Sequence, residues 1–174
     1  SDLLIQSNQL AYVNGFLDVT DSVRILGGVA ADGTTYDYTD PILKSSVYVP
    51  TTSKIVTRNA GSSISISGAT DVDLFGVLVA GGTIGETGVT FTGPRSSITV
   101  SAGEQVFLDT GLLASGTVTI NSGTPGADDS VAALFPGKTL TGDEATDLLS
   151  LVITTAGGIT TAGETTDGTG GGIT

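Results

Sequence analysis

An internal repeat is the feature that most constrains how this chain can fold. Residues 62–84 align without gaps on residues 96–118, a shift of 34 positions, and 10 of the 23 aligned pairs are identical. A unit of this size cannot bury its apolar face alone, so neighbouring units must stack on it to complete a core. We expect the matched apolar residues to be buried and stacked: Ile64/Ile98, Ile66/Val100, Val72/Val106, Leu74/Leu108 and Leu78/Leu112.

The local pattern within the repeat is that of short β-strands. Runs such as 64–66, 72–74 and 98–100 place two apolar side chains on one face at a period of two. Gly, Ser, Asn or Pro lies close to most runs, which indicates turns. The pattern predicts an all-β fold, a parallel β-helix (solenoid) with short strands. The spacing allows a coil of about 17 residues repeated twice or one of about 20 residues plus a connection, and both suit a solenoid. The alternative is an antiparallel β-sandwich, in which the repeat would be two hairpins.

The pattern also predicts how the chain is divided. Residues 1–161 form one solenoid domain, with loops protruding near residues 32–41 and 121–130. Residues 162–174 are rich in Gly and Thr and form a flexible tail or a truncated continuation. Residues 141–144 have the spacing of a capping box, which predicts a short helix over 145–151.

Composition excludes several classes of function. The chain has no His and no Cys, so it has no disulfide, no Cys or His metal site and no Ser-His-Asp or Cys-His catalytic site. We expect no enzyme activity. The net charge is −12 and the six basic residues do not cluster, which argues against binding nucleic acid or anionic lipid. No apolar run approaches the 18 residues that membrane insertion needs. The absence of Cys, the abundance of Gly, Ser and Thr and the low Lys content together indicate an extracellular or cell-surface location.

The two repeats read SSISISGATDVDLFGVLVAGGTI and, from Ser96 onward, SSITVSAGEQVFLDTGLLASGTVTI. They resemble the β-helix repeats of filamentous-haemagglutinin-like adhesins and related giant bacterial surface exoproteins. The likeness covers about residues 60–122. It implies a right-handed parallel β-helix, export across the outer membrane, and a role in adhesion or surface layers. The family's repeats supply no catalytic residues.

Three functions therefore remain open. The first is a non-catalytic segment of a secreted bacterial surface protein, a rigid scaffold that binds a host or neighbouring cell surface or its glycans. The second is a self-assembling structural subunit of an extracellular filament, sheath or surface layer, whose partners are other copies of itself, since open solenoid ends have unpaired strand edges. The third and most remote is a carbohydrate-active enzyme that uses paired carboxylates.

Acidic residues are the candidates for metal binding. Asp71 and Asp73 flank inward-facing Val72 and so point outward on one face, and Asp128 and Asp129 lie together in a loop. Carboxylate oxygens on loops are what calcium prefers, so each of these two pairs is a candidate for calcium binding. No other cofactor is expected.

Aromatic residues are the candidates for ligand binding. Tyr36 and Tyr38 alternate with Asp37, so that in an extended segment both rings lie on one face. Two such rings could stack on a sugar. They are the predicted glycan-binding residues.

Overall fold

The structure is a computed structural model and describes residues 2–28, 45–126, 129–130, 148–154 and 156–161. Over these residues the chain is all-β, with short strands and without a helix. No helix capable of crossing a membrane occurs in this part of the chain. The prediction of an all-β fold is confirmed.

Fifteen of the strands form three parallel sheets of five strands each. The first sheet contains, in spatial order, β1 (Leu3–Gln6), β4 (Val23–Gly27), β7 (Ser63–Gly68), β12 (Ser97–Ala102) and β15 (Val118–Asn121). The second contains β2 (Ala11–Tyr12), β5 (Ser45–Val49), β8 (Asp71–Leu74), β13 (Val106–Leu108) and β16 (Leu151–Ile153). The third contains β3 (Phe16–Val19), β6 (Lys54–Thr57), β9 (Val77–Ala80), β14 (Gly111–Ala114) and β17 (Gly158–Thr161).

The chain passes through the three sheets in the same order five times. Each pass is called a circuit here, so that circuit 1 is β1 to β3 and circuit 5 is β15 to β17. Leu3 pairs with Val23, and Ser101 pairs with Asn121, so an uninterrupted circuit advances the numbering by 20. The 34-residue shift of the repeat is one such circuit plus an antiparallel hairpin, β10 (Gly82–Gly85) and β11 (Gly88–Phe91). Of the two coil lengths that the sequence left open, the coil of about 20 residues plus a connection is therefore correct.

The interior is a column of stacked apolar side chains. All five matched pairs predicted from the repeat are Cα partners in parallel ladders, and every one of their ten residues is 0% exposed. In-register parallel pairing keeps partners on the same face of a sheet, so the apolar residues of successive circuits lie one above another. Burial of each such side chain contributes about 1.5–3 kcal/mol, which makes this column the main source of stability.

Three expectations need correction. The antiparallel sandwich is wrong, because the three main sheets are parallel throughout. Ile84 is not the structural counterpart of Val118, since it lies in the hairpin and pairs with Val89. The predicted helix is wrong at its C-terminal end: Leu148 forms an isolated bridge with Ser130, and Leu151 begins a strand. Pairing with buried β13 outweighs the local capping signal there.

Glycine permits the close approach of successive circuits at one corner. A Cβ on Gly103 would lie 1.9 Å from the carbonyl oxygen of Ala69, and one on Gly123 would lie 1.8 Å from that of Gly103. Only a residue without a side chain can occupy these positions. The column of tight corners fixes how circuits 3, 4 and 5 stack.

Segments are inserted between strands at three places, and the flanking strands stay parallel, with a register shift at Ser45/Val47 after the first insertion. Residues 28–44 and 122–150 both connect the first sheet to the second, in circuits 2 and 5, and the hairpin connects the third sheet to the first after circuit 3. The predicted loop at 32–41 and the tail at 162–174 lie outside the described residues. At 121–130, Asn121 ends β15, residues 122–126 have no regular structure, and Ser130 forms an isolated bridge with Leu148.

A charge inside the apolar column should unfold the protein. Ile98→Asp places an unpaired carboxylate at a position that is 0% exposed, and we expect a loss of more than about 4 kcal/mol in the free energy of unfolding. The matched control is Thr99→Asp on the outward face of the same strand, which should change stability by less than about 1 kcal/mol. Circular dichroism and urea unfolding measure both; equal losses would contradict the assignment of faces.

Candidate functional site

Three carboxylates from different parts of the chain meet beside the second sheet. Asp71 begins β8, Glu104 precedes β13, and Asp129 belongs to the segment that follows β15. One carboxylate oxygen from each lies within 4.8 Å of the others. We call these three residues the carboxylate cluster.

Hydrogen bonds hold the buried members of the cluster in place. The backbone N–H of Gln105 donates to Oδ1 of Asp71 at 3.1 Å, and that of Gly126 donates to Oδ2 of Asp129 at 2.6 Å. The Leu149 N–H donates to the Asp129 carbonyl at 3.1 Å, and the Gln105 side chain donates to the Leu149 carbonyl at 2.6 Å. The inserted segment is thereby tied to Gln105 of circuit 4, which is itself bonded to Asp71 of circuit 3.

Burial makes the charge on Asp71 costly. Its side chain is 7% exposed, and its pKa is raised from 3.8 to about 7, chiefly because burial removes water from the carboxylate. The Gln105 N–H opposes this rise, whereas the negative charges of Asp129, Asp73 and Glu104 add to it. The cluster therefore favours whatever neutralises it, a proton or a cation.

Asp73 points to a different environment from that of Asp71. The Ser45 hydroxyl donates a hydrogen bond to the Asp73 carboxylate, at a position where β5 has an irregular register with β8. Burial raises the pKa of Asp73 to about 6, and the Ser45 hydrogen bond partly opposes the rise. Asp73 is not a member of the carboxylate cluster.

The four predicted calcium ligands thus have different outcomes. Asp71 and Asp129 come together, Asp73 lies apart from them, and Asp128 lies outside the described residues. The sequence reasoning missed Glu104. The repeat could have indicated Glu104. The 34-residue shift aligns Asp71 with Gln105, and Glu104 is the residue directly before Gln105. The position of Asp129 has no such signal, since its segment is outside the repeat.

A row of aromatic rings runs along the outer face of the second sheet. Tyr12 stacks on Tyr48 with ring centroids 5.6 Å apart and planes 3° apart. Phe75 lies 5.4 Å from Tyr48 and 5.5 Å from Phe107. The row therefore spans four circuits and was missed from the sequence, because the ladder pairs both Tyr48 and Phe107 with Asp73 rather than with Phe75.

The row stabilises the stack and offers little surface for a sugar. A saccharide binds to an exposed ring face, and the faces of Tyr48 and Phe75 both lie against neighbouring rings. Burial raises the pKa of the Tyr48 hydroxyl, with further contributions from the charges of Asp73 and Tyr12. Tyr12 is the most exposed ring of the row, at 51%. The predicted glycan-binding residues Tyr36 and Tyr38 lie outside the described residues, and their role stays a prediction.

The cluster has the chemistry of a cation site more than that of a glycosidase. Oxygen ligands at short separation suit calcium. Two carboxylates at a separation of about 5 Å, one with a raised pKa, also occur in retaining glycosidases. Here Asp71 and Asp129 are 7% and 2% exposed, so a sugar ring could not reach the bond-cleaving position between them.

Comparison with known proteins identifies no relative. No protein-family model, no curated protein and no solved structure matches this chain.

The raised pKa of Asp71 predicts how stability depends on pH. A carboxyl group whose pKa is higher in the folded than in the unfolded chain favours folding below pH 3.8, and this contribution is lost as the pH rises through about 7. Asp71→Asn should remove that loss. Relative to the original chain, the variant should gain on the order of 2 kcal/mol between pH 4 and pH 8, after allowance for solvent screening.

Urea unfolding at pH 4, 5, 6, 7 and 8 measures this difference. Glu86→Gln, in the exposed turn of the hairpin, is the control and should follow the original chain at every pH. Parallel curves for Asp71→Asn and the original chain would show that Asp71 titrates normally.

Calcium binding at the cluster has its own test. At pH 8, above the raised pKa of Asp71, calcium should raise the melting temperature by an amount that grows with the logarithm of the calcium concentration above its Kd, and a chelator should reverse the rise. Glu104→Gln should abolish most of the effect, and Asp73→Asn should preserve it. If millimolar calcium leaves the melting temperature of the original chain unchanged, the calcium prediction is wrong.

Proposed function

We propose that this chain is a right-handed parallel β-helix that serves as a rigid, non-catalytic scaffold in a secreted bacterial surface protein. Its role would be adhesion, and its partners would be a host or neighbouring cell surface and the glycans there. The observation that carries the proposal is the constancy of the stack around its insertions. Uninterrupted circuits of equal length occur towards both ends of the chain, and the strands that flank the inserted segments still pair in parallel, with one register shift at Ser45/Val47 of β5.

General rules of chain topology support the right hand. Successive strands of one sheet are parallel and are joined through the other two sheets, which makes each connection a crossover. Such crossovers are right-handed in about 98% of cases. The resemblance of the repeats to those of haemagglutinin-like adhesins implies the same hand.

The separation of core and insertions supports a display function. Every residue of the apolar column belongs to the circuits, whereas residues 28–44, the hairpin and residues 122–150 are inserted between their strands. Two of these insertions lie between the first and second sheets, three circuits apart. A scaffold of this kind can present variable segments at fixed distances along its axis.

An extracellular location agrees with the composition. The chain has 18 acidic and 6 basic residues, which favours solubility and disfavours nucleic acid as a partner. It has no Cys, so its stability is independent of the redox state of the compartment. The stacked sheets supply the rigidity that adhesion under load requires.

Removing the hairpin tests whether the circuits are independent of what they carry. Deletion of residues 83–96 gives circuit 3 the same length as circuit 4 and joins Gly82 to Ser97, as Gly116 is joined to Thr117 in circuit 4. We expect cooperative unfolding with a loss below about 2 kcal/mol. The control deletion of residues 97–110 has the same length but removes β12 and β13, and it should not fold.

Adhesion is tested with beads that carry the folded protein or its hairpin deletion. The beads are applied to immobilised glycans and to bacterial cells, with albumin-coated beads as the control. Retention of the original protein above albumin supports adhesion, and a loss in the deletion variant would locate the contact on the hairpin. Retention equal to that of albumin on every surface would overturn the adhesive role.

Self-assembly into a filament, sheath or surface layer is the second candidate function. The observation that favours it is the distribution of exposed apolar side chains among the described residues. All the large ones belong to circuit 1 or to circuit 5 and the segment just before β16: Leu4, Tyr12, Phe16, Leu148, Leu151 and Ile153. Both ends of the stack therefore expose apolar surface that its middle circuits do not.

A further inference from the structure

The turn between β2 and β3 holds an asparagine followed by a glycine. Asn14 lies between Tyr12, which ends β2, and Phe16, which begins β3, and its successor is Gly15. Asn14 is exposed, and Gly15 has a φ of +124°. A Cβ on Gly15 would have no atom within 4 Å, so the space beside this turn is open to water.

An asparagine followed by a glycine can lose ammonia without an enzyme. The backbone nitrogen of the glycine attacks the side-chain carbonyl carbon Cγ of the asparagine, and a five-membered succinimide ring forms. The new bond from nitrogen to Cγ replaces the bond from Cγ to Nδ2, and ammonia leaves with the proton of the backbone nitrogen. Water then opens the ring at one of its two carbonyl carbons and leaves aspartate or isoaspartate. Glycine favours ring closure because it has no side chain to obstruct the backbone rotation that the ring requires.

Two hydrogen bonds at the turn match what ring closure needs. The Thr52 hydroxyl donates to Oδ1 of Asn14 at 3.1 Å. This oxygen gains negative charge when Cγ is attacked, so a donor directed at it stabilises the transition state. The Gly15 N–H donates to Oγ of Ser53 at 3.2 Å, which increases the electron density on the attacking nitrogen. Both partners belong to circuit 2, so the folded stack brings them to the turn of circuit 1.

The other asparagines of the chain have a different environment. Each precedes a residue with a side chain: Asn8, Asn59 and Asn121. The amide nitrogen of Asn59 donates to Asp21 at 2.7 Å, and that of Asn121 donates to Ser101 at 3.2 Å. These two bonds hold the nitrogen that would have to leave, whereas the bond from Thr52 engages the oxygen of Asn14.

We propose that Asn14 is a site of spontaneous deamidation in the folded protein, with Gly15 supplying the attacking nitrogen and the Thr52 hydroxyl stabilising the charge that develops on Oδ1. Water is the one co-reactant, and it is consumed when the ring opens. The reaction exchanges a neutral amide for a carboxylate and so adds one negative charge to a chain whose net charge is −12. This chemistry is independent of what the scaffold binds.

The two products differ in their effect on circuit 1. The Val13 N–H donates to the Tyr48 carbonyl at 3.0 Å, and the Lys54 N–H donates to the Gly15 carbonyl at 3.0 Å. These bonds hold the backbone on both sides of Asn14 to circuit 2. Aspartate keeps the backbone between them unchanged, whereas isoaspartate lengthens it by one carbon atom. Because hydrogen bonds weaken steeply with distance and angle, the isoaspartyl chain should hold circuit 1 less tightly.

Peptide mapping by mass spectrometry tests the proposal in the folded protein during incubation at pH 8. Asn14 should convert first, while Asn59 stays largely intact. Thr52→Val removes the donor to Oδ1 and should slow the conversion by about two- to tenfold, the rate equivalent of one hydrogen bond. The matched control is Thr51→Val in the same exposed turn, which should leave the rate unchanged. Circular dichroism checks that both variants are folded.

The same incubation in urea separates the effect of the fold from that of the sequence. Thr52 is no longer held beside Asn14 in the unfolded chain, so Thr52→Val and the original chain should convert there at equal rates. Asn14→Asp is the reference for the aspartate product and should melt like the original chain, whereas the isoaspartyl fraction should melt at a lower temperature.

Two results would contradict the proposal. An Asn14 that stays intact in the folded chain but converts in urea would overturn it, because the turn would then protect this residue. Equal rates for the folded original chain and folded Thr52→Val would overturn the role of the Thr52 hydroxyl.

Discussion

Parallel in-register pairing is the constraint on which the rest of this structure depends. It places identical or similar apolar residues above one another, so that each circuit completes the core of the circuit beside it. Ile64 and Ile98, or Leu74 and Leu108, are fully buried only because both neighbours are present. The same pairing aligns the outer face, where it produces the aromatic row from Tyr12 to Phe107.

The chemistry of the surface follows from what interrupts this pairing. Asp71 lies at the start of a regular strand, and its pKa is raised because it is buried and because an inserted segment brings the carboxylate of Asp129 close to it. Asp73, two residues later, meets Ser45 at an irregularity in the neighbouring strand. In both contacts one residue, Asp71 or Asp73, belongs to the regular strand β8. Its partner, Asp129 or Ser45, comes from an inserted segment or from a strand with irregular pairing.

The sequence predicts the part of the fold that repeats and fails where the repeat stops. The stacked pairs of circuits 3 and 4 follow from the 34-residue echo, because burial of one face selects the same residue types at equivalent positions. The sequence alignment of the two repeats is structurally wrong at Ile84, which lies in the hairpin. A hairpin strand alternates apolar and polar residues as a core strand does, so the period of the pattern cannot distinguish them. The helix expected over 145–151 fails at Leu151 because tertiary pairing overrides a local capping signal. Of the candidate site, Asp71 lies on a predicted strand, whereas the place of Asp129 depends on a loop path that no periodicity encodes.

The insertions bear on the order in which the chain can assemble. Ile98 and Val118 are separated by a single uninterrupted circuit, but Leu112 and Ile159, which pair at the other side of the same circuits, also have the long insertion between them. The entropy of closing a loop grows with the logarithm of its length, so the first contact costs less than the second before any side chain is buried. The strands of circuit 5 should therefore pair with circuit 4 at different times in the three sheets. The long insertion delays pairing in the second and third sheets, so circuit 5 is completed late. A chain leaving the ribosome would hold circuits 3 and 4 together while that last edge is still being made.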